Sequence, residues 1–250
     1  MSPSSISGRT KRALITGGGS GIGFAIAKAL AVDGVAVTVA GRNEAKLKES
    51  GFPFVRIDVT DEASVRAVVK EAGVVDICVN NAGFAATAPS LKTTRAVWDE
   101  MIALNLTSAF LCSQAVAPAM IERGWGRFIA VASTASLKAY AYTGAYAAAK
   151  HGLLGWVKTL ALEHAKTGVT FNAICPGFTD TPLIGDAVTA IVKGTGRSVD
   201  DARSAFTKAN PMGRLVDPAE VASAAVWLAG DGAASVNGQA IVIDGGEMIA

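Results

Sequence analysis

The sequence predicts an α/β fold in which one parallel sheet is covered by helices on both faces. Short β-rich runs alternate with helical patterns along most of the chain, and this order is typical of a doubly wound sheet. Continuous apolar runs such as residues 35–40 indicate strands that are buried on both faces. The seven predicted strands span residues 12–16, 35–40, 54–58, 76–80, 127–133, 170–175 and 240–243.

Helices are predicted between these strands, where apolar residues recur every three or four positions. In the first of them, Ile22, Ile26 and Leu30 fall on one face. The helix between the second and third strands is short, with about two turns at most. The predicted helices span residues 21–32, 45–49, 62–71, 94–123, 145–166 and 218–228.

Residues 183–211 interrupt the alternation, since Gly185, Gly194 and Gly196 stand there among small and polar residues. A long insertion in a compact domain is often a lid over a binding site, and the alternative is a solvated connection. We expect a single domain over residues 11–250, preceded by a loose Ser-rich tail over residues 1–10.

Composition excludes several function classes. Of 250 residues, 23 are basic and 21 acidic, and a net charge of +2 is too small to indicate a nucleic-acid or membrane-surface partner. Cys78, Cys112 and Cys175 lie in apolar contexts, and only His151 and His164 could join them, so no metal site is expected. With neither a signal-peptide pattern nor an uninterrupted apolar run of transmembrane length, we expect a cytoplasmic protein.

A glycine-rich loop over residues 16–23 follows the first strand and opens the first helix. Glycines let a pyrophosphate approach the backbone, while the helix N-terminus offers free N–H groups and the positive end of its dipole. The spacing G-x-x-x-G-x-G differs from both the dinucleotide fingerprint and the triphosphate-binding loop. A glycine turn without a ligand is therefore the alternative.

Tyr146 and Lys150 stand four residues apart on a predicted helix and so share one face. A nearby ammonium favours the phenolate and lowers the pKa of a tyrosine, which can then act as a general acid or base. A pair at this spacing also occurs on ordinary helix surfaces. The catalytic interpretation therefore depends on the other motifs.

Several polar residues support that interpretation. Residues 80–83 and Ser133 follow predicted strands, where the ligands of open α/β sheets gather. Asn105 interrupts an apolar helix, and a hydrogen-bonded core amide is its alternative. The loop 176–181 follows the sixth strand, and Thr181 is either a ligand hydroxyl or a helix cap.

Taken together, and in this order along the chain, the motifs resemble those of the short-chain dehydrogenase/reductase family in its single-domain form. The resemblance covers residues 12–246 and implies a Rossmann-like fold and an NAD(P)-dependent oxidoreductase that interconverts a ketone and a secondary alcohol. It implies that Tyr146 exchanges the proton, that Lys150 holds the nicotinamide ribose and lowers the tyrosine pKa, and that Ser133 binds the carbonyl oxygen. Asn105 would hold a water that connects Lys150 to solvent.

The choice between cofactors depends on the end of the second strand. Gly41 occupies the position where an acidic residue selects NAD, and Arg42, which suits a 2′-phosphate, follows it. NADP(H) is therefore favoured and NAD(H) is possible, although Arg42 is alternatively a surface residue and Ser20 replaces a basic residue of many NADP-using members. The implied cofactor contacts are Gly17, Ser20, Gly21, Ile22, Gly23, Arg42, Asp58, Val59, Asn81, Ala82, Gly83, Tyr146, Lys150, Pro176, Gly177, Thr179 and Thr181.

The substrate is expected to be an apolar ketone or a β-ketoacyl compound, because the substrate-facing positions are mostly apolar. They comprise Phe84, Ala85, Phe178 and residues 137–143 and 183–211. The alternatives are an NAD-dependent secondary alcohol or 3-hydroxyacyl dehydrogenase, an epimerase or dehydratase, and a catalytically silent dinucleotide-binding regulator. The resemblance also implies a homotetramer, with Trp156, Val157 and Leu160 either at an interface or in the chain's own core.

Overall fold

A single sheet of seven parallel strands crosses the protein in the order β3-β2-β1-β4-β5-β6-β7. The structure is a computed structural model, and it describes residues 9–250. The strand order reverses between β1 and β4, which creates the switch point where open α/β sheets bind ligands. The strands are β1 (Arg12–Thr16), β2 (Ala36–Gly41), β3 (Phe54–Arg56), β4 (Ile77–Asn80), β5 (Gly126–Val131), β6 (Val169–Pro176) and β7 (Ala240–Ile243).

The predicted fold class and all seven strands are confirmed, with small changes at the strand ends. Every residue of β5 and β6 is buried. The prediction that the run 35–40 is buried on both faces is wrong in part, because Ala36 of β2 is exposed and Thr38 is half-buried. Strand β3 is two residues shorter than predicted, because the chain turns at Asp58, whose carboxylate accepts hydrogen bonds from the Thr60 amide and hydroxyl.

Helices cover both faces of the sheet and create two hydrophobic cores. Leu14 belongs to the core beneath α3, α5 and α6, whereas Ile15 belongs to the core beneath α1 and α9. Successive strand residues point to opposite faces, so both cores share β1. The helices are α1 (Gly21–Val32), α2 (Glu44–Glu49), α3 (Glu62–Ala72), α4 (Arg95–Ile102), α5 (Ser108–Glu122), α6 (Gly144–Glu163), α7 (Pro182–Thr195), α8 (Val199–Thr207) and α9 (Pro218–Ala229).

The predicted helix over residues 94–123 forms as α4 and α5, joined by a π-helical turn at Ala103–Thr107. This stretch is long and apolar enough to cross a membrane by composition alone. Half of its most apolar window is buried inside the protein, as in a core helix of a soluble protein.

The predicted lid contains two helices, α7 and α8, that the sequence did not indicate. They pack around a third, small core of Ile184, Val188, Ala202 and Leu215. Helix α7 begins with Pro182 at its first turn and ends at Gly196, whose φ of 70° is left-handed. The segment is therefore an ordered unit with apolar packing of its own, and its role as a lid stays a prediction.

Of the predicted tail, residues 1–8 lie outside the described residues. Arg9 donates two hydrogen bonds to the buried carboxylate of Asp76, at 2.7 and 2.8 Å. The chain is thus held to the sheet from residue 9 onward.

Candidate active site

A cleft of about 340 Å³ opens at the switch point, between the glycine loop, the ends of β4 and β5, and the start of α7. It brings together most of the residues that the motifs singled out. The predicted site residues that line it are Gly17, Ser20, Gly21, Ile22, Asn81, Ala82, Gly83, Asn105, Tyr146, Lys150 and Thr181.

The glycine loop packs closely against the turn after β4. Gly17 has a φ of 66°, and a Cβ there would lie 2.8 Å from Asn81 Nδ2. Asn81 Nδ2 donates to the carbonyl oxygens of Thr16 and Gly17 at 3.0 and 3.2 Å. The Asn81 side chain therefore joins the two turns, and the space beside Gly17 is filled by this side chain and by Ala82.

The first turn of α1 faces this cleft. Ser20 stands at the N-cap position but makes no capping hydrogen bond, and no acidic residue lies in the first turn. Free N–H groups and the positive end of the helix dipole suit a phosphate at this position.

Tyr146 and Lys150 lie on one face of α6, as predicted, with Lys150 Nζ 5.6 Å from the centre of the Tyr146 ring. Lys150 is buried, and its Nζ donates to the carbonyl oxygen of Val131 at 2.9 Å. This burial lowers the pKa of Lys150 from 10.5 to about 8. The lysine therefore gives up its proton more readily than an exposed one.

The expected lowering of the Tyr146 pKa is wrong for the protein by itself. Desolvation raises the pKa of the Tyr146 hydroxyl, and a hydrogen bond with Ser133 opposes this shift only in part. Lys150 does not offset this burial: its Nζ is bound to the Val131 carbonyl oxygen and lies 5.6 Å from the centre of the Tyr146 ring.

The structure shows Asn105 as a hydrogen-bonded core amide, and its role in holding a water stays a prediction. Asn105 is buried in the π-helical turn, and its Nδ2 donates to the carbonyl oxygens of Phe84 and Met101 at 3.0 and 3.1 Å. Its Oδ1 has no partner among residues 9–250, and the side chain lines the cleft. The amide thus anchors to the backbone and keeps one acceptor free for a site water.

Ser133 does not line the cleft but hydrogen-bonds with Tyr146, which does, whereas Thr181 lines it directly. Ser133 Oγ accepts from the Ala135 amide at 3.1 Å, directly after β5. Thr181 stands at the N-cap of α7 without a capping hydrogen bond from its side chain, so its hydroxyl remains available to the cleft that it lines.

The remaining predicted cofactor residues do not line the cleft. Gly23 is buried against Gly17 and Asn81, while Arg42 and Asp58 follow β2 and β3 at the sheet edge. Val59 is buried in the core. Pro176, Gly177 and Thr179 lie at and beyond the end of β6, where the Thr179 hydroxyl donates to the carbonyl oxygen of Gly177 at 3.0 Å.

The cleft is also lined by seven residues that the sequence did not assign to the cofactor. Lys46 reaches it because Gly19 lets α2 approach: a Cβ at position 19 would lie 3.1 Å from the carbonyl oxygen of Lys46. The only sequence signal for Lys46 is its basic side chain on a short helix near the glycine loop. The residues are Lys46, Phe84, Val131, Ala132, Pro182, Leu183 and Asp186. Of these, Phe84, Leu183 and Asp186 belong to the positions expected to face the substrate.

A family model described as "Enoyl-(Acyl carrier protein) reductase" matches residues 17–247. The chain belongs to the short-chain dehydrogenase/reductase family. It is similar to D-beta-hydroxybutyrate dehydrogenase of Cupriavidus necator, with 41% identity over 94% of this chain and 97% of the relative. It is also similar to a putative ketoacyl reductase of Streptomyces coelicolor, with 38% identity over 94% of this chain and 95% of the relative.

Solved structures of the family share this fold over 96–97% of the chain. A variant of actinorhodin polyketide ketoreductase, solved with NADPH, has a TM-score of 0.89 and 36% identity over 96% of this chain and 98% of its own. Levodione reductase has a TM-score of 0.90 and 31% identity over 97% of this chain and 100% of its own. The protein is an NAD(P)-dependent oxidoreductase that interconverts ketones and alcohols in small molecules.

Proposed function

We propose that this enzyme reduces an apolar ketone or a β-ketoacyl compound to a secondary alcohol with NADPH. The observation that carries the proposal is the single cleft in which Tyr146, Lys150 and Asn105 meet the glycine loop. The start of α1, which has no side-chain cap and no acidic residue in its first turn, suits the phosphates of a dinucleotide. When bound, the nicotinamide supplies the hydride.

The chain's own groups then handle the charge and the proton. Ser133 hydrogen-bonds the carbonyl oxygen, and the Tyr146 hydroxyl donates a proton to the alkoxide as it forms. Lys150, whose burial lowers its pKa to about 8, holds the ribose and passes a proton toward the tyrosine. A water on Asn105 Oδ1 connects Lys150 to solvent.

Tyr146→Phe tests this assignment, because it removes the proton donor and leaves the ring in place. We expect the variant to lose turnover by at least about 100-fold, the typical contribution of a positioned acid, while its NADPH affinity changes little. Cofactor fluorescence measures the binding. A variant that keeps most of its activity would contradict the proposal.

The preference for NADPH is proposed from charge near the adenosine end. Gly41 brings no carboxylate to the end of β2, and Arg42 follows it. Lys46 lines the cleft beside the glycine loop and pairs with no carboxylate among residues 9–250, whereas its neighbour Lys48 pairs with Glu44 at 2.7 Å. We propose that Arg42 and Lys46 share the 2′-phosphate.

Arg42→Ala and Lys46→Ala should each weaken NADPH binding about tenfold or more, while NADH binding changes by less than about twofold. Lys48→Ala serves as the control because its ammonium is already paired. Equal losses for both cofactors would show that these residues do not discriminate the 2′-phosphate.

The apolar substrate is proposed from the lining near Tyr146, where Phe84, Ala132 and Leu183 are apolar. The relatives named as ketoacyl reductases support this class. The similarity to D-beta-hydroxybutyrate dehydrogenase favours a second candidate, an NAD-dependent hydroxyacyl or alcohol dehydrogenase that works oxidatively. Initial rates with both cofactors against aryl ketones, alkyl ketones and acetoacetyl thioesters separate the two.

A cytoplasmic homotetramer is part of the same proposal. Phe110 on α5 and Leu162 on α6 are exposed apolar residues that suit a subunit interface, whereas Val157 and Leu160 are buried in the chain's own core. Trp156 is partly buried, and its Nε1 donates to Ser113 Oγ at 3.1 Å. Light scattering that shows a stable monomer would contradict the tetramer.

A further inference from the structure

The chain carries a buried carboxylate beside the site, Glu247, that the reaction does not use. Glu247 lies four residues beyond β7 and is 4% exposed. Its Oε1 accepts a hydrogen bond from the Tyr140 hydroxyl and lies 3.1 Å from Lys138 Nζ. Lys138 Nζ also donates to the Glu247 carbonyl oxygen at 3.3 Å. Glu247 thus holds two side chains of segment 137–143, which the sequence analysis expects to face the substrate.

The hydrogen bonds continue toward the catalytic serine. The Tyr140 hydroxyl lies 2.6 Å from Thr134 Oγ1, and Thr134 is the buried neighbour of Ser133. Because the Tyr140 hydroxyl donates to the carboxylate, it accepts from Thr134. Burial and the carboxylate raise the pKa of Tyr140, which keeps the hydroxyl protonated as a donor.

The Tyr140 ring in turn orients an aromatic stack that reaches the lid. Its centre lies 5.9 Å from the Phe178 ring, and Phe178 lies 5.2 Å from Phe206 on α8, both in edge-to-face arrangements. Such pairs have a preferred geometry, so the position of one ring constrains the next. Tyr140, Phe178 and Phe206 come from the substrate-facing segment, the loop after β6 and the lid.

The segment that carries Lys138 and Tyr140 needs such an anchor. Tyr142 has a φ of 68°, a left-handed conformation that costs energy in a residue with a side chain and persists only when surrounding contacts hold it. The turn that carries Glu247 is itself ordered, because the Asp244 carboxylate accepts hydrogen bonds from the amides of Gly246 and Met248 at 2.9 and 2.7 Å.

We propose that Glu247 is a positioning residue, which holds Lys138 and Tyr140 so that the aromatic stack forms a fixed wall beside Ser133. The wall limits which ketones place their carbonyl carbon within reach of the hydride. This inference rests on the proposed ketone reduction, and it assigns substrate selection to a residue outside the cleft lining. The Glu247 Oε2 atom has no hydrogen-bond partner among residues 9–250, so the carboxylate contacts Lys138 and Tyr140 through Oε1 alone.

Glu247→Gln removes the charge and keeps an oxygen acceptor, so it tests the anchor with little change in volume. We expect KM for a bulky aryl ketone to rise about tenfold, because a charge-assisted bond is replaced by a neutral one. The kcat value and the NADPH affinity should change less than about twofold. Glu71→Gln, on the exposed end of α3, is the matched control.

Two further measurements separate positioning from a general loss of structure. Tyr140→Phe removes the hydroxyl but keeps the ion pair between Lys138 and Glu247. Because both substitutions break the same hydrogen bond, adding Tyr140→Phe to Glu247→Gln should raise KM little further. Trypsin cleavage after Lys138 should also become about tenfold faster in Glu247→Gln than in Glu71→Gln, because the released segment opens more often.

If trypsin cleaves Glu247→Gln after Lys138 no faster than it cleaves Glu71→Gln, Glu247 does not hold this segment, whatever the activity of the variant. Fully additive effects of the two substitutions on KM, or equal losses of ketone and NADPH affinity, would overturn its role in positioning the wall. If the wild type reduces none of the ketones, the proposed function fails, and the cleavage rates still decide whether Glu247 holds the segment.

Discussion

Replacing Gly23 by alanine tests how tightly the glycine loop packs against the turn after β4. Gly23 lies in the first turn of α1, and a Cβ there would stand 2.4 Å from Asn81 Nδ2 and 2.5 Å from the Gly17 carbonyl oxygen. Both distances are far below the 3.4 Å at which ordinary contact begins. Because Gly17 O is a backbone atom, the loop itself must move.

The expected cost follows from these contacts. Displacing Asn81 breaks its two hydrogen bonds to Thr16 and Gly17, at about 1 kcal/mol each. Overpacking adds about 1–3 kcal/mol, and the better helix propensity of alanine offsets about 1 kcal/mol. We expect the free energy of unfolding to fall by about 2–4 kcal/mol, which lowers Tm by about 4–16 °C in a chain of this size.

Urea unfolding followed by circular dichroism measures the free energy, and a thermal scan measures Tm. Gly194→Ala is the matched control, since it lies in α7 and no atom comes within 4 Å of its added Cβ. That substitution should leave stability equal or slightly higher. A Gly23→Ala protein as stable as the wild type would refute the packing argument.

Three other substitutions test buried polar groups. Because burial lowers the Lys150 pKa to about 8, the folded protein binds fewer protons than the unfolded chain between pH 8 and 10.5. Between about pH 7 and 9.5, the unfolding free energy of the wild type should therefore rise by about 2 kcal/mol relative to that of Lys150→Met, as measured by urea titrations. A difference between the two proteins that does not change with pH would contradict this. Asp76→Asn weakens the buried acceptor of Arg9 and the Arg12 amide and should cost about 3 kcal/mol of unfolding free energy, whereas a loss under about 1 kcal/mol would contradict a structural role. Asn105→Ala should lower stability by about 2 kcal/mol and slow ketone reduction without weakening NADPH binding, and unchanged rates would exclude a role for its amide in catalysis.

Most of the fold was predictable because its signals are local. The bounds of β1, α1 and β7 agree with the predictions to the residue, since apolar periodicity and the glycine loop mark their ends. The lid helices were missed for the opposite reason. Their small core is completed by Leu215 and Phe178, which lie outside both helices in the chain.

The candidate site was predictable in part. The motifs named Tyr146, Lys150 and Asn105, and the cleft brings them together. Lys46 was missed because it reaches the cleft only through the close approach of α2 to Gly19. Glu247 was missed because no local pattern distinguishes a buried glutamate near the C-terminus from an exposed one.

By itself, the sequence determined the parallel sheet, the family and the order of the catalytic motifs, because each depends on residue type and short spacing. Only the tertiary structure decided the electrostatics, such as the raised pKa of Tyr146 and the lowered pKa of Lys150. It also decided which polar atoms lose water and which partners they find, as with Glu247 and Tyr140. Desolvation and hydrogen bonding between distant segments depend on how the whole chain packs, and no short stretch of sequence specifies them.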